Sequence, residues 1–302
     1  AARSYFALQQ VHAAYAQQEA VDIRYADEKG SLLPSTEAVA TGAFRRSQVV
    51  TTYANGLKVW VNGHPTETWK LPEVELPPNG WFVQDPSGKL AAFSALRDGR
   101  RVDYVDSPEY LYADGRGRLS RFDKLVTDSQ AAAIKRSDGR LELIPIQKCT
   151  ALGVWLGGGS GQAIGLDEEG HELGPIPSRF SRGLVHIAPE ALQEAASKKV
   201  FSYLLRPGPK PDLVLQCDRS EVAPGETVRI VGKTEHTYQV PADVKPGQVL
   251  WVERDGAWID FSVVPLVDAS LQLENGQLRL RLRPNVAGPT EATVQLADPT
   301  QA

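Results

Sequence analysis

Two tryptophans and two carboxylates, spaced over ten residues, are the side chains of this 302-residue sequence best placed to do chemistry. Trp251-Val252-Glu253-Arg254, an Asp255-Gly256 turn and Ala257-Trp258-Ile259-Asp260-Phe261 alternate as the two strands of a hairpin do. Pairing outward from the turn sets Val252, Ile259 and Phe261 on a core side and Trp251, Glu253, Trp258 and Asp260 on an exposed one. Indole faces stack on sugar C–H groups and carboxylates accept hydroxyl protons, so the second face is a candidate carbohydrate-binding platform. Aromatic residues that anchor a neighbouring module or linker are the commoner case, and that role ranks ahead of the platform.

No other grouping points to catalysis, a cofactor or a metal. His12, His64, His171, His186 and His236 fall on separate elements, with no two at the spacing of a zinc site or a Ser-His pair. His186, inside Leu184-Val185-His186-Ile187, reads as a satisfied strand residue. Asp103, Asp106, Asp114 and the Asp167-Glu168-Glu169 run read as solvated turns in preference to calcium ligands, because no twelve-residue calcium loop is present. Gly157-Gly158-Gly159-Ser160-Gly161 leads into Gln162-Ala163-Ile164, a strand, whereas a phosphate loop leads into a helix; a hairpin loop is expected. Cys149 and Cys217 lie in different expected modules and read as small buried residues, ahead of an interdomain disulfide.

The elements that would carry these groups are β-strands. A net charge of −4 with pI near 5.8 gives no basic footprint for nucleic acid, and no apolar run is long enough to span a membrane. No charged stretch leads into an apolar core as in a signal peptide. The 26 Gly and 21 Pro suit many short strands joined by turns. Tyr5, Leu8, Val11 and Tyr15 recur at helical spacing, and a second short helix is expected from Ser35 to about Ala43. From Gln48 the pattern turns to hairpins. Val49 to Ala54, Asn55-Gly56 and Leu57 to Val61 predict a two-residue turn, with Val50, Thr52, Val59 and Val61 on one face. Further strands are expected at Ala131 to Lys135, Leu141 to Ile146, Leu152 to Leu156, Ala163 to Leu166, Leu184 to Ile187 and Val200 to Leu205. Pro207-Gly208-Pro209-Lys210-Pro211 reads as a stiff linker.

The expected fold is therefore all-β: tandem antiparallel β-sandwiches, immunoglobulin-like, with a short N-terminal helical segment. Residues 1–46 would close a missing upstream domain. Residues 47–118 would form one sandwich, 119–206 a second and 212–302 a third after the linker. In the last, Leu271 to Glu274, Asn275-Gly276 and Leu278 to Leu282 alternate as a hairpin with one buried and one wet face.

Tyr5 to Tyr15, Ile23 to Asp27, Thr36 to Gly42, the Tyr53-Ala54-Asn55-Gly56-Leu57-Lys58-Val59-Trp60-Val61-Asn62 hairpin and the Leu76-Pro77-Pro78-Asn79-Gly80-Trp81 turn together resemble a known junction. They are similar to the region where a (β/α)8-barrel glycoside hydrolase passes into its C-terminal β-sandwich, over about residues 1 to 115. Catalytic acids of such enzymes lie on barrel strands, and none of those positions matches here. The resemblance implies a non-catalytic C-terminal accessory portion of a carbohydrate-active protein, secreted or at the cell surface. Its partners would be an upstream catalytic domain and a polysaccharide or oligosaccharide. The alternative is a structural or adhesive cell-surface protein built from immunoglobulin-like modules.

Overall fold

The computed structural model describes residues 2–274 and 277–285 and is all-β, with a short N-terminal helix and antiparallel sheets. The chain divides into two compact units, 1–210 and 211–302.

In the first unit the three segments expected as separate modules share one long sheet. Its strands run in the order Glu172–Ile176, Gly161–Leu166, Ser202–Pro207, Leu141–Pro145, Gln130–Lys135, Tyr110–Asp114, Arg100–Asp106, Ala91–Arg97, Gly80–Gln84, Lys58–Asn62, Gln48–Tyr53, Ala20–Ala26 and Leu32–Pro34. Hydrogen-bonded strands therefore cross the expected boundaries at 46/47 and 118/119. A second sheet of five strands, including Leu125–Thr127, Leu152–Trp155 and Leu184–Ile187, covers one face of the part around Gln130–Lys135. Leu111, Ala113, Ala131, Ala133, Leu143 and Leu205 of the long sheet meet Leu125, Leu152, Val154 and Ile187 across this core. Ala131, Ala132 and Ala133 have no exposed surface. Burial on both faces, more than intrinsic propensity, holds that alanine run as a strand.

The opposite face is covered by the Ala2–Tyr15 helix. Ala7 and Val11 are buried against Leu57, Val83, Ala92, Val105, Tyr112 and Ala132, with Phe6 stacked on Tyr112 and Tyr15 on Tyr53. Tyr5, expected in the apolar stripe, is 55% exposed. Residues 1–46 are thus part of this unit: the helix lies on the sheet, and Ala20–Ala26 pairs with Gln48–Tyr53.

The Asn55-Gly56 and Asp255-Gly256 hairpins both form, with different turns. At Asn55-Gly56 only Gly56 has positive φ, and the Tyr53 and Gly56 N–H groups donate to Leu57 O and Tyr53 O. The loop holds three residues, so the register slips by one: Val50 pairs with Trp60, and Val49 with Val61. The loop is closed locally, the Leu57 N–H donating to Asn55 Oδ1, while the Asn55 side-chain amide donates to Ala14 O at the helix end. The expected grouping of Val50 with Val59 and Val61 on one face is therefore wrong. Near the unit boundary Pro207, expected in a linker that stays out of the sheets, ends a strand and pairs with Gly161.

The second unit packs Leu215, Val222, Val228, Ile230, Val252, Ile259 and Phe261 into its own core, from the Thr227–Val231/Glu235–Gln239 hairpin and the Val249–Arg254/Ala257–Val263 hairpin. Val267–Glu274 pairs with Gln277–Pro284; the Asn275-Gly276 turn and residues 286–302 lie outside the described residues. Leu280 and Leu282, expected on a buried face, are 39% and 44% exposed.

Many turns are closed by an aspartate that caps its own loop. The Asp27 carboxylate accepts from the Ser31 and Lys29 N–H groups, and Asp167 from the His171 N–H. Hydrogen bonding to the charged form, led by Ser31 and by His171 respectively, holds both below the ordinary 3.8. Their contribution is complete above that value and is lost as pH falls through the depressed folded value. Replacing both (Asp27→Asn, Asp167→Asn) keeps an acceptor and removes the titration. Thermal midpoints from about pH 5 to pH 2 should therefore fall less in the variant than in the wild type. Val11→Ala should cost about 1.5 kcal/mol in urea unfolding, as two methyl-sized groups leave a covered site.

Candidate functional site

The functional-looking side chains of the first unit lie on one straight cross-strand row. Successive register partners are Tyr25, Val49, Val61, Trp81, Ser94, Asp103, Asp114 and Gln130, all on the face that carries the helix. The apolar half of the row lies beside the helix and is largely uncovered, with Val61 and neighbouring Ile23 exposed. The polar half lies under the first turn of the helix.

Here the sequence-based expectation fails for two acids. Asp103 and Asp114, expected in solvated turns, are 3% and 1% exposed and stand directly opposite each other on paired strands. Two like charges at adjacent strand positions repel, and burial raises the cost, so each needs a cation. Arg3 donates Nε to Asp114 at 2.8 Å and a terminal N–H to the same oxygen, with its Nε 3.7 Å from Asp103. Arg116 places one terminal nitrogen 2.9 and 3.2 Å from the two Asp103 oxygens, and its backbone N–H donates to Asp114 at 2.8 Å. Ser94 Oγ–H completes Asp103 at 2.5 Å. Burial, then the Asp114 and Asp103 charges, push the neighbouring Tyr112 phenol up. Carboxylates whose oxygens are taken up by guanidinium, hydroxyl and backbone donors in this way are suited to anchoring the elements that supply those donors. Asp106, also expected in a solvated turn, is half-buried and paired with Lys124 at 2.6 Å.

Arg101 completes the cluster differently. Its guanidinium donates to Ser94 Oγ (2.9 Å), Pro78 O (3.1 Å) and Asn79 O (2.7 Å), all neutral oxygens. Burial, then the Arg116 charge, push it below its ordinary value. The turn it clasps needs Gly80, where an added Cβ would stand 2.7 Å from Pro77 Cδ and 2.9 Å from Ser94 O.

In the second unit the expected hairpin has the expected register: Trp251 opposite Asp260, Val252 opposite Ile259 and Glu253 opposite Trp258. Asp255 and Gly256 both have positive φ, the two-residue turn the motif demands. Val252, Ile259 and Phe261 are buried as expected. The platform geometry is not as expected. Asp260 is 1% exposed, and the two indoles are half-buried and meet edge to face at 6.4 Å and 74°, not side by side in one plane. Glu253 remains exposed.

The remaining groups are dispersed. Asp167, Glu169 and His171 bring donor atoms within 4.8 Å of one another in an exposed turn whose own hydrogen bonds account for the approach. His186 is buried against Gly153, where an added Cβ would come 2.5 Å from its Nδ1. Cys149 is free and buried, its thiol pushed up to about 12 by burial first, then Asp128; Cys217 is also free. No described helix is long and apolar enough to cross a membrane.

Removing one acid should strand a cation. Asp103→Asn should cost about 2 kcal/mol in urea unfolding, below the 3–5 of a fully buried broken pair because Arg116 and Arg3 are partly in water. Asp103→Asn should also lower near-ultraviolet ellipticity from the Tyr104–Tyr112 region.

No protein-family model, no curated protein and no solved structure matches this chain.

Proposed function

We propose that the chain is a non-catalytic accessory portion of a carbohydrate-active protein, a glycoside hydrolase, that braces the catalytic barrel and holds polysaccharide. The observation that carries the non-catalytic part is the state of Asp103 and Asp114. They are carboxylates set side by side on a covered face, as a glycosidase pair would be, yet both are saturated by Arg3, Arg116 and Ser94. A general acid needs a proton to give, and a nucleophile needs an open approach.

Two features support the rest. The uncovered apolar residues at one end of the long sheet (Val21, Ile23, Val61, and Val39 and Phe44 on adjoining elements) offer a surface for a neighbouring domain such as the barrel. The half-buried Trp251 and Trp258 with exposed Glu253 offer an edge, not a flat platform, for a sugar. Secretion or display at the cell surface follows from the same reading, as polysaccharide is met there.

The test joins turnover with binding. The chain should release nothing above background from aryl glycosides and polysaccharides. Neutral glucans and xylans should bind weakly, on the order of millimolar, and quench indole fluorescence. Trp258→Ala should abolish the quenching while moving the thermal midpoint by less than about 3 °C. Turnover lost on changing one carboxylate, or no glycan binding at all, defeats the proposal.

A further inference from the structure

The protein as a whole is acidic, yet one end of its long sheet concentrates arginine. Residues 97–103 and 114–121, with Arg3, hold seven arginines against three aspartates in a chain of net charge −4. The register brings these segments together, with Arg101 on the face of Asp103 and Asp114 and with Arg97 and Arg100 on the opposite one: Ser94 pairs with Asp103 and Asp103 with Asp114, and Arg97 Nη1 donates to Arg121 O at 3.1 Å. Two of the aspartates, Asp103 and Asp114, are buried and already consumed by Arg3 and Arg116. Among the described residues Arg101 makes no hydrogen bond to a carboxylate; it is held on neutral oxygens beside the Arg116 and Arg3 guanidiniums, with Asp103 nearby. Arg116 uses one terminal nitrogen on Asp103, and its side chain is 31% exposed, leaving the rest of the fork at the surface. The N-terminus of the Ala2–Tyr15 helix adds its positive end to the same spot.

We propose that this arginine-rich end binds anionic saccharide, a chain bearing carboxylate or sulfate groups, with Arg101 and the solvent side of Arg116 as principal contacts. The inference rests on the carbohydrate reading above and narrows its ligand. An incoming anion adds counter-charge where three guanidiniums (Arg3, Arg101, Arg116) share two carboxylates, and the planar fork of Arg116 matches a carboxylate or sulfate edge. Attraction of this kind weakens with salt, because much of it is exposed. A nucleic acid would meet the same charge, but the uncovered row beside the cluster offers apolar residues, Val49 and Val61, and only half-buried aromatic rings, Tyr25 and Trp81, instead of an open stack for successive bases.

The experiment is titration of the full chain with polygalacturonate, dextran sulfate, neutral dextran and single-stranded DNA, at about 20 and 200 mM salt. Polygalacturonate or dextran sulfate should bind at least tenfold more tightly than neutral dextran, several-fold less so at the higher salt. The first of the two to bind identifies carboxylate or sulfate as the preferred group. Arg101→Gln should reduce anionic binding at least tenfold. Because that variant also loosens the Pro77–Gly80 turn, Arg116→Lys, which keeps a cation beside Asp103 and removes the planar fork, provides a second loss. Equal binding of DNA, retained anionic binding in both variants, or no preference over dextran overturns the proposal. Neutral-glycan binding that survives without any anionic binding sinks this inference alone; absence of both sinks the carbohydrate reading as well.

Discussion

Two aspartates forced side by side on a covered sheet face constrain much of the first unit. Once Tyr110–Asp114 pairs with Arg100–Asp106 in the observed register, Asp103 and Asp114 share a site from which water is nearly excluded. Two buried carboxylates side by side need donors of opposite charge. Arg116 comes from the loop that follows one strand, and Arg3 from the start of a helix more than a hundred residues away. The second of these fixes where the helix begins, and Tyr110 Oη–H, donating to Phe6 O at 2.7 Å, fixes its first turns further. The apolar contacts of Ala7 and Val11 then follow from that placement. Burial supplies most of the stabilisation, while the charges select a single seat for the helix among the apolar positions of a wide sheet.

Strand periodicity was legible because it is local. Leu184–Ile187 is found as expected, and the strands near 131, 141, 152 and 163 shift by no more than two residues at either end. Side-chain fate was less legible wherever a distant element decided it. Nothing near Asp103 or Asp114 in the sequence says that a helix will cover them; each sits beside a turn signal, which is where solvated aspartates usually lie. The clue available was alternation: Asp103-Tyr104-Val105 and Tyr112-Ala113-Asp114 continue the inward positions of two strands, and buried acids on strands imply arginines. Module boundaries failed for the same reason. Turns divide a chain locally, but whether neighbouring hairpins join one sheet depends on edges that pair across the whole unit.

The Asn55-Gly56 and Asp255-Gly256 hairpins show that one dipeptide signal admits two loop lengths. Asp255-Gly256 has both residues at positive φ, and the register follows by counting outward. Asn55-Gly56 carries an equally strong local signal, yet its asparagine accepts from the Leu57 N–H, and one extra residue enters the loop, as at Asp138-Gly139. That residue sends Val50 to the face of Trp60 and leaves Val49 and Val61 on the uncovered one. At the candidate platform the register was right and the burial was not. Counting along the hairpin says which residues share a face, but not that Asp260 has 1% of its surface exposed there.

A sheet this long raises a question of termination, since its outermost strands present unpaired backbone to any other chain. The outer strands are Glu172–Ile176 and Leu32–Pro34, and each contains a proline, Pro175 and Pro34. Proline has no N–H to offer a further strand, and the second edge is only three residues long. Gly174, at φ 117°, bends the first edge away from a flat template. At these two edges the long sheet therefore offers a poor template for a further strand.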